Sequence, residues 1–238
     1  EDIDSVAQQL LATQADVIGI SVSVWNVKQS KSLIEKLKRA KPNLILFIGG
    51  PEVMYEPEFF INNWEIDYVV SGEGEFVTGE LLQALEQGKR EVDIAGVSYK
   101  GHINRTIVQA DIEKLVELDS PYQLPEDRDS LKHRVVYFET SRGCPYHCKY
   151  CLSSLEKGVR YFPKDHIDEN LAYFIDSEAK LIKFLDRTFN LNRKHTHHVF
   201  SYLIENHRPN LSCQFEIYAD LLKDENIEYL NTQLPKDF

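Results

Sequence analysis

The sequence is poor in cysteine: four in 238 residues, none before Cys144. That is too few for a disulfide scaffold. Long apolar runs are missing as well. Leu44 to Ile48 and Val135 to Phe138 are among the longest, far below the ~20 residues that cross a bilayer. Positive charge is scarce, with Lys+Arg 27 against Asp+Glu 38 and a net charge of −11. General attraction to nucleic acid or anionic lipid is therefore disfavoured, and a small-molecule substrate or a protein partner is the expectation. Glu1 is followed by neither a basic segment nor an apolar h-region, and no initiator Met precedes it. A secretory leader is not expected, cytoplasmic location is the default, and the chain reads as a piece of a longer protein. There is no internal repeat at solenoid spacing and no low-complexity tract.

What is present is ordinary globular composition, 42% hydrophobic and 27% charged, enough for one large domain or two smaller ones. From Ile3 to Leu85, short β-branched runs alternate with amphipathic stretches, the pattern of a parallel α/β fold. Asp16 to Ser23 reads as a strand ending in Ser21 and Ser23. Val27 to Ala40 carries Leu33, Ile34 and Leu37 at helical spacing, and Pro42 stops it. Leu44 to Ile48 is a second strand, closed by Gly49-Gly50-Pro51. Asp67 to Val70 is a third, closed by Ser71-Gly72-Glu73-Gly74-Glu75. Ligands of an open parallel sheet gather at this carboxyl edge, where glycine admits close backbone approach. Neither loop is a dinucleotide or nucleoside triphosphate motif, and either one alone suits a plain turn.

Residues 87–134 read as a linker, with a short hairpin of Gly96 to Tyr99 and Arg105 to Val108 and an extended connector through Leu124-Pro125-Glu126-Asp127. From Arg134 the rhythm resumes, with strands at 135–140, 181–186 and 211–217 and helices at 167–177, 194–206 and 224–233. Three βα units are too few for a closed barrel. They form either an open layer or the first units of a larger one.

Cys144, Cys148 and Cys151 follow a strand with C-x3-C-x2-C spacing. Three thiolates on one loop suit a single soft centre. Structural zinc takes four ligands, usually from two knuckles, and no second knuckle follows. A four-iron cluster held by three cysteines keeps one iron open for a ligand. A zinc staple for protein recognition is the alternative.

The run Glu139-Thr140-Ser141-Arg142-Gly143-Cys144-Pro145-Tyr146-His147-Cys148-Lys149-Tyr150-Cys151 resembles the cluster loop of the radical S-adenosylmethionine (SAM) enzymes. The resemblance implies a [4Fe–4S] cluster on the three cysteines, with SAM chelated at the fourth iron. It further implies reductive cleavage of SAM to a 5′-deoxyadenosyl radical that abstracts hydrogen from substrate, and an electron donor such as flavodoxin or ferredoxin. By the same resemblance Asp186 and Asn190 would face the top of a partial TIM-like barrel as SAM contacts, joined by Tyr150 and by Glu216 at the third strand's edge. No Gly-Gly-Glu triplet is present for the methionine amine.

Residues 1–86 are similar to the Rossmann-like (flavodoxin-like) cobalamin-binding domain that precedes the radical domain in one subclass, here lacking its first strand. That resemblance puts Ser21, Ser23, Gly49, Gly50, Gly72, Glu73 and Gly74 against cobalamin. The Asp-x-His-x-x-Gly motif for a lower axial histidine is missing, and the first histidine is His102. Together these features resemble the B12-binding-domain-containing radical SAM family. The expected architecture is 1–86 for cobalamin, 87–134 as linker and 135–238 as the first barrel units. The implied reaction is methylation, cyclisation or rearrangement of a small molecule; the alternative is a radical enzyme whose first domain only docks. Methylthiotransferases, which carry three further N-terminal cysteines, are excluded by the cysteine count. Cys213 reads as a core residue, Trp25 as a buried aromatic at a strand end, and His195, His197 and His198 as a solvated helix face.

Overall fold

The structure is a computed structural model that describes residues 2–124, 127–155 and 158–235. Pro125 and Glu126 of the expected connector lie outside the described residues. The chain divides into two compact units, Glu1–Asp111 and Ile112–Phe238. The stretch read as a linker is therefore shared between them.

The first unit runs α1 (Ile3–Ala12), β1 (Val17–Ser21), α2 (Val27–Ala40), β2 (Ile45–Gly49), α3 (Pro57–Asn63), β3 (Tyr68–Val70), α4 (Gly74–Glu86) and β4 (Val97–Tyr99). Strands β1, β2 and β3 are parallel neighbours in that order, with Val17 opposite Ile45 and Phe47 opposite Tyr68. Successive side chains of a strand point to opposite faces, and two cores result. Ile18, Leu46, Ile48 and Val69 face α1, α2 and α3, where Leu33, Ile34, Leu37 and Phe60 are buried. Tyr68 and Val70 face the other way and pack with Val77, Leu81 and Leu85 of α4. The helical spacing seen at Leu33, Ile34 and Leu37 is thus the buried stripe of α2.

The expected hairpin is only half formed. Gly96 to Tyr99 supplies β4, which joins β3 antiparallel, whereas Arg105 to Val108 forms no strand and touches the sheet through a single bridge, Val108 to Gly72. A β3 of only three residues, already paired on both sides, leaves no ladder for a further strand.

The second unit opens with a short α5 (Ile112–Leu115), then β5 (Val135–Phe138), β6 (Ser141–Gly143), β7 (Val159–Tyr161), α6 (Lys164–Asp176), β8 (Leu181–Phe184), α7 (Arg193–Glu205), β9 (Ser212–Gln214) and α8 (Asp224–Gln233). Its three-stranded sheet is parallel in the order β5-β8-β9. Val136, Phe138, Ile182 and Phe184 are buried with Ile167, Leu171 and Phe174 of α6 and Val199 and Leu203 of α7. The three βα units are present, but a separate antiparallel pair, β6 with β7, is inserted after the first strand. Among the described residues no helix is long and apolar enough to cross a membrane.

Candidate functional site

The cysteine loop grows out of the β6–β7 pair. Gly143 lies opposite Val159, so the chain between them is a loop closed at its base. Gly143 has φ +95°, and a Cβ there would sit 2.2 Å from the carbonyl oxygen of Gly158. Only glycine lets the two sides of the stem meet. Below the stem, Phe162 N donates to Thr140 O at 3.0 Å. Arg142 donates from Nε and Nη2 to Glu139 Oε1, and its guanidinium lies 5.9 Å over the Phe162 ring.

Beyond the stem the loop is open. Cys144 is half-buried, Cys148 and Cys151 are exposed, and all are free thiols. Cys151 N donates to Cys148 O at 3.0 Å, and Ser154 Oγ donates to Cys151 O at 2.6 Å. His147 places Nδ1 3.2 Å from Ser154 O; the carbonyl can only accept, so Nδ1–H donates. Among the described residues no three metal-ligating side chains already converge on one point. The donor set nonetheless fits a soft centre: three uncommitted thiols on one tethered loop. Tyr150 is 93% exposed, and the Tyr146 ring lies 4.4 Å from that of Tyr218.

Under the stem sits a buried polar cluster. Asp186 is fully buried and accepts from Thr140 N at 3.0 Å, Thr140 Oγ1 at 2.7 Å and Ser141 Oγ at 2.6 Å. Thr140 Oγ1 also lies 2.7 Å from His195 Nε2. Since the hydroxyl proton goes to Asp186, Nε2–H is the donor of this contact. Asn192 caps α7 by accepting from Lys194 N and His195 N, which fixes His195 on the cluster. Burial pushes the His195 imidazole below its usual range, and the Asp186 charge partly offsets this. Burial, followed by the Asp186 charge, pushes the Tyr161 phenol up; its ring lies 4.7 Å from that of His195.

The structure places the expected residues as follows. Asp186 is fully buried, and its hydrogen bonds run to Thr140 and Ser141. Asn190 Nδ2 donates to Tyr218 O at 3.0 Å and its Oδ1 accepts from Tyr218 N at 2.9 Å. Glu216 is exposed, and its carbonyl accepts from Phe189 N at 3.0 Å. His195 is buried in the cluster and not on a solvated face. Thr188, which sequence reasoning passed over, places Oγ1 3.6 Å from Cys144 Sγ; its only signal was a hydroxyl two residues after Asp186. Cys213 has its thiol pushed up to about 12 by burial.

At the carboxyl edge of the first sheet, Asn26 joins the two serines, accepting from Ser23 N at 2.8 Å and donating to Ser21 O at 3.0 Å. Ser23 is buried and Ser21 exposed. The next residues, Val24 and Trp25, are 74% and 76% exposed, so Trp25 is not the buried aromatic expected. Gly50 has φ +103° with its would-be Cβ 2.6 Å from Val22 O, and Gly72 has φ +102° with its own 2.2 Å from Val108 O. Both glycines admit the chain's own backbone. Gly49 and Gly74 are partly exposed, and Glu73 accepts through Oε2 from Ala110 N at 2.9 Å. The Ser71 hydroxyl is buried with no hydrogen-bond partner among the described residues. An orphaned hydroxyl and an exposed apolar pair at one edge fit a large, partly apolar ligand.

Comparison with known proteins places the first unit in a domain family. Residues 1–82 match the model of the B12 binding domain. An uncharacterised methyltransferase of Pyrococcus horikoshii is 33% identical over 202 residues, covering 79% of this chain and 43% of that protein. TokK of Streptomyces tokunonensis, named a cobalamin-dependent radical SAM methyltransferase, is 26% identical over 191 residues, covering 75% and 28%. Residues 1–82 thus belong to the B12-binding domain family, and the chain as a whole is similar to cobalamin-dependent radical SAM methyltransferases. Among solved structures, the radical SAM methyltransferase TsrM of Kitasatospora setae, with cobalamin and a [4Fe–4S] cluster bound, superposes with a TM-score of 0.65 at 16% identity, covering 86% of this chain and 43% of that one. The chain shares the fold of that structure and spans less than half the length of these relatives.

Proposed function

We propose that this chain holds the cofactors of a cobalamin-dependent radical SAM enzyme acting on a small molecule. One observation carries the reading: three free thiols lie on a single loop whose base is closed by a backbone hairpin, in a chain whose first 82 residues are a B12-binding domain. Cys144, Cys148 and Cys151 would hold a [4Fe–4S] cluster with one iron left open. The chemistry so supplied is one-electron cleavage of SAM to a 5′-deoxyadenosyl radical, leading to methylation, cyclisation or rearrangement of the substrate. The β6–β7 stem presents the three thiols. Tyr150 and Glu216, both exposed, are free to contact SAM. Asn190 acts at one remove, by tethering the backbone of Tyr218 and so the ring that meets Tyr146.

Residues 1–86 would seat cobalamin at the carboxyl edge of β1, β2 and β3. Ser21, Gly49 and Gly74 line the loops there, Trp25 and Val24 offer apolar surface, and Ser23, Gly50, Gly72 and Glu73 hold the loops in shape. With no histidine before His102, residues 1–86 bring no imidazole of their own to the corrin. Residues 135–238 serve as the opening βα units of the radical domain, and 87–134 connects the two. Electrons come from a flavodoxin or ferredoxin type of donor. A reducing compartment such as the cytoplasm keeps such neighbouring thiols free.

Anaerobic reconstitution tests the reading. About four irons and four sulfides per chain, with a spectral change when SAM is added, are expected for a cluster with an open iron. Zinc alone, or no metal, would overturn it. Cobalamin in 100-fold excess over its Kd should stabilise the first unit by about 2.7 kcal/mol; no shift would make that unit a docking module.

A further inference from the structure

The three cysteines are not equivalent. Cys148 and Cys151 project from the open part of the loop, whereas Cys144 sits at the stem with its sulfur 3.6 Å from Thr188 Oγ1. Thr188 is 7% exposed, and among the described residues this sulfur is the only recorded partner of its hydroxyl. A buried hydroxyl needs a hydrogen bond, and leaving it without one costs about 1–3 kcal/mol. The turn that carries Thr188 is itself fixed, because Asp186, two residues earlier, binds the backbone and side chain of Thr140 and the side chain of Ser141. One short segment after β8 thus grips both the stem and the first thiol.

We propose that Thr188 is a positioning residue that hydrogen-bonds the sulfur of Cys144 and makes it the anchored member of the trio. The part of this inference that concerns a cluster rests on the function proposed above. A metal-bound thiolate carries no proton, so the hydroxyl must then be the donor. A donor on a ligating sulfur stabilises the more negative, reduced state of a cluster and raises its potential.

The test compares the full chain with Thr188→Val, which keeps the volume and loses the donor, and Thr188→Ser, which keeps the donor. In a redox titration followed by electron paramagnetic resonance, T188V should hold the same iron yet reduce at a more negative potential, and T188S should return towards the parent. Equal potentials in T188V and the parent would overturn the inference. Amide hydrogen exchange on the metal-free protein gives a second reading that does not depend on the cluster. T188V should speed exchange several-fold at residues 143–148, with T188S close to the parent. If the parent takes up no iron, the proposed function fails and this exchange measurement alone decides the inference; unchanged exchange in T188V would sink it. The same measurement decides if T188V alone fails to load iron.

Discussion

At the carboxyl edge of the first sheet, the space beside Gly50 and Gly72 is filled by the backbone of Val22 and Val108, and Asn26 laces Ser21 to Ser23. In the second unit the cysteine loop is closed at its base, and among the described residues its three thiols do not yet converge. The first edge is built before any ligand arrives, so binding there needs little reordering. The second has a finished foundation and an unfinished top, which a metal must complete. Preorganisation is therefore spent on the stem and on the cluster beneath it, and not on the thiols themselves.

The largest effect that would break this comparison belongs to Asp186. Replacing it by Ala leaves Thr140 N and two hydroxyls without their buried acceptor, and should cost the second unit about 3 kcal/mol. Urea unfolding followed by a probe in that unit measures it. A loss below ~0.5 kcal/mol would show that the cluster is not the foundation described here.

A pair of glycine substitutions sharpens the contrast. Gly143→Ala and Gly72→Ala both place a methyl against a carbonyl oxygen at positive φ, each at a cost of about 1–3 kcal/mol. The first should abolish iron loading while cobalamin binding to the first unit persists. The second should weaken cobalamin binding and leave the iron count intact. Iron analysis and corrin titration on both variants separate the two edges, and crossed effects would show that they are not independent.

The smallest effect is on pH. Burial holds His195 below its ordinary range in the folded state, so above about pH 7 both states are neutral and nothing changes. As the pH falls below ~6.5, the unfolded chain gains a proton that the folded chain refuses. Stability of the second unit is then lost progressively until the folded His195 itself protonates. Thermal melts from pH 7.5 to 5 should show this decline, and His195→Gln should remove part of it. His166, also lowered by burial, accounts for a further part, so a decline identical in H195Q and the parent would place the whole effect elsewhere.

Much of the fold was legible because parallel βα units announce themselves by alternation: α2 begins and ends where its periodicity and Pro42 place it, and β5, β8 and β9 fall inside the stretches 135–140, 181–186 and 211–217. The cysteine spacing was equally plain. The β6–β7 stem was not, since Ser141–Gly143 and Val159–Tyr161 are too short to show a period, and their pairing depends on the conformation of Gly143. Asp186 misled for a related reason. The resemblance puts this acid at the top of the barrel, and only the fold reveals that Thr140 and Ser141 converge on it from a distant segment. Trp25 erred in the opposite direction, because apolarity predicts burial only when something is there to cover the ring.

The closed stem also bears on where metal can be captured during synthesis of the chain. In a random coil, gathering three side chains around one ion exacts a chain-entropy cost; a loop whose ends are already tied has met most of that cost beforehand. The folded chain should therefore outcompete its own unfolded form for the ion, and the ion acts as a ligand of the native state alone. Loading then reports folding, since only a chain whose hairpin has closed competes well for the ion.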